Sequence, residues 1–388
     1  MVFLGRTYKI SVLPGDGIGR EVIPQAIRTL EIAEELIGGF TLKMHNFECG
    51  GEYYLRTKTE LSDEGMRFTK TEADAILLGA IGAEDSDGNP VRLPDNNLAG
   101  YNVVIGLRME LDLYANVRPV KLFEGVPTPL AAEDIEIDMV IIRENTEGLY
   151  APVRGHLSRG GSSEVAIDTR VITAKGSKRI SEYAFDTSSS RNGAPVDGKK
   201  RVTCVDKSNL LAGCQLFRKS FDLVSNNYPH IEPDYAYVDA FAQWLIRKPE
   251  YYDVAVAPNA FGDIVTDIGA AIQGGLGVAP AGSIGDKHAV FEPVHGSAPK
   301  HYGKDIANPI ASILATSMML EWLGEKRNDD KCTKASEVIR EGVTSVLREG
   351  SIRTYDLCKG KWQAIKPSTT TQVTDAIIQS MKDIADSR

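Results

Sequence analysis

The 388-residue chain has no Cys-x-x-Cys pair, and its five cysteines (Cys49, Cys204, Cys214, Cys332, Cys358) are scattered and odd in number. That pattern argues against a disulfide frame and a zinc site, and fits a reducing, cytoplasmic setting. Long apolar runs are missing too. The longest nearly apolar stretch, AILLGAIGA from Ala75, is too short to span a bilayer, so no membrane partner is expected. The opening MVFLGRTYKISVLPGDG lacks the basic region, apolar stretch and small-residue cleavage site of an export signal. Although the net charge is −9, the charges sit in short mixed stretches with no basic stripe. A nucleic-acid partner is therefore not expected. Internal repeats and low-complexity tracts are also absent.

What is present is ordinary for a soluble globular enzyme: 42% apolar residues, 25% charged residues, 36 glycines and 18 prolines. Single cores stop growing near about 250–300 residues, so the length predicts two lobes. YKISVLPGDGIGREV opens as a strand, breaks at Pro14-Gly15, and continues with helical spacing from Val22 to Leu36. TLKMHNFECG, a helix through Met66 and Phe68, and the buried strand ADAILLGAIG repeat the theme. Alternating strands and helices predict an α/β fold with parallel pairing. From LDLYANVRPVKLF the texture becomes richer in strands, and after Gly285 the first texture returns. The expectation is a discontinuous lobe of residues 1–113 and 275–388, and a second lobe of 114–274. DTSSSRNGAPVDGKK, residues 186–200, reads as a surface loop.

FGDIVTD places Asp263 and Asp267 four residues apart. On a helix they share one face and repel unless a cation lies between them. A hard divalent metal suits such a site, whereas an isolated pair of this kind also occurs on solvated helix faces. PGDGIG at 14–19 lacks the spacing of a dinucleotide fingerprint, because its third glycine comes too early and Pro14 interrupts the turn. It remains either a tight loop near a ligand or plain turn chemistry. Arg108, Arg118 and Arg143 stand near the ends of elements, where guanidinium forks would bind a polycarboxylate.

LPGDGIGREV, LRMELDLYANVRPVKLF, RENTEGLY, DKSN, NAFGDIVTD, GSIGD and FEPVHGSAPKHYGKDIANP together resemble, nearly end to end, the β-decarboxylating dehydrogenases acting on 3-isopropylmalate, isocitrate, homoisocitrate and tartrate or D-malate. The resemblance implies a fold unlike the Rossmann type, with two α/β lobes that share a central sheet and flank a cleft. It implies an obligate homodimer with shared active sites and an interlocking arm near 151–170. Arg108, Arg118 and Arg143 then correspond to clamps on the substrate's carboxylates. Asp263 and Asp267 of one subunit, with Asp239 of the other, correspond to ligands of Mg²⁺ or Mn²⁺, an oxygen-only set suited to a hard cation. Tyr150 and Lys207 correspond to the catalytic proton carriers. A catalytically silent regulatory subunit is the alternative from another class. Such a chain is expected to lose Tyr150, Lys207 or the carboxylates, and here all are intact.

By the same resemblance, His295, Gly296 and Asn308 would meet the adenine end of a nicotinamide cofactor and Glu292 its nicotinamide side. NAD-using members carry an aspartate after HGSAP, where this chain has Lys300. Lys300, His301, Tyr355 and Lys359 together favour the 2′-phosphate of NADP over NAD. Substrate choice rests on Asn102, Val104 and Ile105. Isocitrate enzymes resemble Ser-x-Asn at the first two positions, whereas Val104 and Ile105 resemble an apolar wall for an isopropyl group. The expectation is a 3-isopropylmalate-type substrate with NADP preferred, ahead of NADP-dependent isocitrate dehydrogenation and then tartrate or D-malate oxidation.

Overall fold

The computed structural model describes residues 5–131 and 135–387. Residues 1–4, 132–134 and 388, the first and last stretches of the expected first lobe and a short piece of the second, lie outside the described residues. Two compact units are found. One comprises residues up to Leu111, Leu122–Pro129, and from Gln273 onward; the other is Asp112–Lys121 with Leu130–Ile272.

The first unit begins with β1 (Arg6–Leu13), α1 (Gly19–Ile37), β2 (Phe40–Asn46), α2 (Gly51–Thr57), α3 (Asp63–Thr71) and β3 (Ala75–Leu78). Strand β1 pairs in parallel with both β2 and β3. All four β3 residues are buried, which is why AILL is continuously apolar rather than alternating. The PGDGIG segment is the turn between β1 and α1. Gly17 has φ of 50°, and a Cβ there would lie 2.2 Å from the Ser297 carbonyl oxygen, so this close approach requires glycine. The Ile18 N–H donates to that same carbonyl at 2.8 Å. Asp16, fully buried, accepts from the N–H groups of Gly51, Glu52 and Gly82 at 2.8–2.9 Å, tying three loops together. Downstream, a π-helical turn over Asn102–Gly106 runs into α4 (Leu107–Glu110).

The second unit contains β4 (Ala115–Lys121), β5 (Asp138–Glu144), β6 (Arg154–Arg159), β7 (Ser162–Asp168), α5 (Ala174–Ser190), β8 (Arg201–Asp206), α6 (Ala212–Ser225), β9 (Glu232–Tyr237), α7 (Val238–Arg247), β10 (Val254–Ala257) and α8 (Asn259–Ile272). Five strands follow the order β4-β5-β10-β8-β9, parallel except at β4 with β5. β6 and β7 form a separate antiparallel hairpin in which every residue is exposed. The chain then returns to the first unit through β11 (Pro280–Ile284), β12 (Ala289–Pro293), α9 (Ile310–Arg327), α10 (Asp330–Glu349) and α11 (Thr370–Asp386). Helix α9 is buried on nearly all sides, packed between β12, α1 and α10. Among the described residues, no helix is long and apolar enough to cross a membrane.

One expected loop is partly helical. Residues Asp186–Ser190 continue α5 instead of opening the loop of 186–200. Their hydroxyls bond back along the helix, Thr187 to the Tyr183 carbonyl at 2.8 Å and Ser189 to that of Phe185 at 2.9 Å. Ser188 is fully buried and donates to Asp253 at 2.7 Å. Tertiary contact overrides the turn preference of serine here.

Candidate active site

Three elements of the second unit converge on one charged cluster. Arg143, near the end of β5, is 3% exposed, and its Nε and Nη2 donate to Asn259 Oδ1 at 2.9 and 2.7 Å. Its Nη1 donates to Asp263. Gly262 makes this possible, because a Cβ there would sit 2.7 Å from both Cβ and Cγ of Arg143. Arg118, on β4, is held by Asn116 Oδ1 at 2.8 Å and reaches Asp267 at 3.4 Å and Asp263 at 3.9 Å. Asp263 and Asp267 therefore share one face of α8, and one guanidinium spans both. That guanidinium supplies positive charge between two carboxylates that would otherwise repel.

Tyr150 completes the cluster. Glu144, 2% exposed, accepts from Thr146 N–H, Thr146 O–H and Glu147 N–H at 2.8–2.9 Å, shaping the turn after β5. Burial pushes the Glu144 carboxyl above its ordinary range, against those three bonds. Asn259 Nδ2 fastens the same turn through the Glu147 carbonyl at 2.9 Å. The Tyr150 hydroxyl then donates to Asp263 Oδ2 at 3.0 Å. Burial, then the Asp263 charge, raises its pKa, so the phenol stays protonated at neutral pH.

Lys207 and Asp239 lie apart from that cluster. Lys207 Nζ donates to Asp239 at 2.6 Å, and this bond holds the Asp239 carboxyl below its usual range. Among the described residues, no group of three or more acids, histidines or cysteines could hold a metal ion within one chain. Asp263 and Asp267 offer two adjacent carboxylates, a donor type suited to a hard cation.

In the first unit, the expected cofactor residues lie on β12, on the segment between β12 and α9, and on the segment between α10 and α11. His295 Nδ1 lies 3.0 Å from the Gly296 carbonyl, while its buried Nε2 has no partner among the described residues. Burial pushes its pKa down. An orphaned ring nitrogen beside Gly296, which has nothing within 4 Å of a Cβ position, fits a residue awaiting a ligand. Exposed Lys300 and half-buried His301 belong to one short turn, and Tyr355 Oη approaches His301 Nδ1 at 3.2 Å. Glu292 is half-buried on β12, and Lys359 is exposed. Asn308 is committed inside the protein, donating to Asp356 at 2.9 Å and accepting from Ile310 N–H at 3.0 Å.

The π-turn carries Asn102, Val104 and Ile105, and Arg108 follows on α4 at 8% exposure. π-Bulges of this kind recur at functional sites. Sequence reasoning passed over three residues that shape these sites: Asn259, Asn116 and Glu60. Asn259 opens the NAFGDIVTD stretch, four residues before Asp263 and so on the same helical face, and that spacing was the available signal. Glu60 had none.

The whole chain has known counterparts. The family model described as isocitrate/isopropylmalate dehydrogenase matches residues 9–377. A 3-isopropylmalate/3-methylmalate dehydrogenase from Methanocaldococcus jannaschii is 41% identical over 354 residues, 91% of this chain and 97% of the relative. A decarboxylating D-malate dehydrogenase from Escherichia coli is 38% identical over 96% of this chain and 98% of its own. The crystal structure of isocitrate dehydrogenase from Methylococcus capsulatus superposes with a TM-score of 0.80 at 33% identity, covering 97% of this chain and 99% of that one. On these matches the chain belongs to the isocitrate/isopropylmalate dehydrogenase family and is a decarboxylating dehydrogenase.

Proposed function

We propose that the protein oxidatively decarboxylates a 3-substituted (R)-malate of the 3-isopropylmalate type, with NADP as preferred oxidant and Mg²⁺ or Mn²⁺ as cofactor, in a homodimer that shares its active sites. The observation that carries this reading is the cluster of Arg118, Arg143, Tyr150, Asp263 and Asp267. Arg118 and Arg143, with Arg108 in the same role, bind the substrate's carboxylates. Lys207 takes the C2 hydroxyl proton while hydride passes from C2 to the nicotinamide ring. Loss of CO₂ leaves an enolate, to whose C3 carbon Tyr150 delivers a proton. A divalent cation, when bound at Asp263 and Asp267, supplies the Lewis acidity that polarises the C2 oxygen.

Asp239 is paired with Lys207 and lies apart from the α8 carboxylates of its own chain, which supports both residues acting on the partner's site. The exposed hairpin β6–β7, with Leu157, Val165 and Ile167 at 45–60% exposure, supports an arm that another subunit covers. A second reading, NADP-dependent isocitrate dehydrogenation, is favoured by the Tyr355–His301 contact beside Lys300. One assay decides between them: reduced-cofactor absorbance with 3-isopropylmalate, isocitrate, D-malate or tartrate, each with NAD and NADP, in Mg²⁺ and in chelator. The expected result is fastest turnover of 3-isopropylmalate with NADP, abolished by chelator. Tenfold faster turnover of isocitrate establishes the second reading, and no turnover of any acid establishes a silent subunit.

A further inference from the structure

Glu60 is a carboxylate with only 9% of its surface exposed, and no arginine or lysine is its partner in any described hydrogen bond or ion pair. Its Oε1 accepts from the backbone N–H groups of Gly100 and Asn102, and its Oε2 accepts from the Asn102 side-chain amide. The Glu60 backbone is itself fixed, since its carbonyl accepts from Gly50 N–H at 2.8 Å, beside the loop that Asp16 ties down. Three donors aimed at one buried carboxylate hold it in place. All of them belong to the start of the π-turn that bears Val104 and Ile105.

We propose that Glu60 is a positioning residue for substrate choice: it holds the Asn102 amide away from the substrate and fixes a negative charge at the base of the turn that selects the C3 substituent. The inference rests on the malate-type reading above and sharpens it. An apolar substituent is indifferent to that charge. A third carboxylate is repelled by it and finds no free amide to bind.

Glu60→Gln keeps the shape and removes the charge. Its carbonyl oxygen still serves the two backbone N–H groups, while its new amide meets Asn102 donor to donor. Asn102 must then turn its oxygen inward and its N–H outward. The readout is the ratio of dissociation constants for isocitrate and 3-isopropylmalate, measured by calorimetry with Mg²⁺ present. In Glu60→Gln the ratio is expected to shift toward isocitrate by about fivefold or more, with 3-isopropylmalate binding within about threefold of wild type. Equal weakening of both acids, the signature of a merely structural residue, overturns the proposal. Asn102→Ala supplies an independent arm that does not need the Gln variant to fold. The proposal expects no selective change, and a selective loss of isocitrate binding overturns it. Wild-type turnover on the substrate panel tests the underlying reading separately, because the binding ratio is read without catalysis.

Discussion

Gly262→Ala should damage the active site through a single methyl group. In an isolated helix the change would stabilise by about 1 kcal/mol, since alanine loses less backbone entropy than glycine. Here the new Cβ would stand 2.7 Å from Arg143 Cβ and Cγ and 3.2 Å from its Cα. Arg143 cannot swing away cheaply. Strand β5 lies between β4 and β10, and the guanidinium is pinned by two bonds to Asn259 and one to Asp263. Overpacking of this kind costs about 1–3 kcal/mol, and a misaligned charge-assisted bond adds about 1–2 kcal/mol more. After the helix gain is subtracted, a net loss of about 1–4 kcal/mol is expected. Misplacing the fork by a fraction of an ångström should also lower kcat/KM by about tenfold or more. The assay is urea unfolding with steady-state kinetics. If Gly262→Ala proves at least as stable as wild type with unchanged kcat/KM, the close-packing argument is wrong.

Three shorter predictions follow from other sites. Tyr150→Phe removes the O–H that reaches Asp263, and kcat should fall by about 10²-fold or more; because the wild-type phenol titrates above its ordinary value, no alkaline limb below about pH 10 should disappear with it. Burial alone would raise the Asp138 carboxyl, yet Lys121 and Arg191 together hold it below its ordinary range. A depressed folded-state pKa stabilises above the unfolded value of about 4 and is lost as pH falls through the folded value, so the urea-midpoint gap between wild type and Asp138→Asn should be present at pH 7 and close near pH 2; a gap independent of pH refutes this. Replacing residues 154–168 with a short turn should leave the circular dichroism of the fold intact while light scattering reports monomer, and a persisting dimer contradicts the arm assignment.

The alternation of strand and helix was readable because parallel strands bury both faces and so become short apolar blocks, as in AILL of β3 and VAVA of β10. Asp263 and Asp267 were readable because helical spacing alone puts them on one face. The cation that bridges them was a matter of sheet register: Arg118 faces Ile141 on β5, two residues from Arg143, and no local pattern announces that. Glu60 was invisible for a related reason, being 42 residues from Asn102 in a stretch of ordinary loop composition. The hydroxyl-rich end of α5 misled in the opposite direction. Local chemistry there favours a turn, and the deciding contact is with Asp253, more than sixty residues away.

Asp253 itself, with no exposed surface, accepts from Ser188 Oγ, Arg191 Nε and Arg201 N–H, and so joins the tail of a helix to the starts of two strands. Releasing any one of the three takes a hydrogen bond from a carboxylate that has no exposed surface. The last turn of α5 therefore cannot fray ahead of its neighbours, and its amides should exchange with deuterium as slowly as those of the strands they guard.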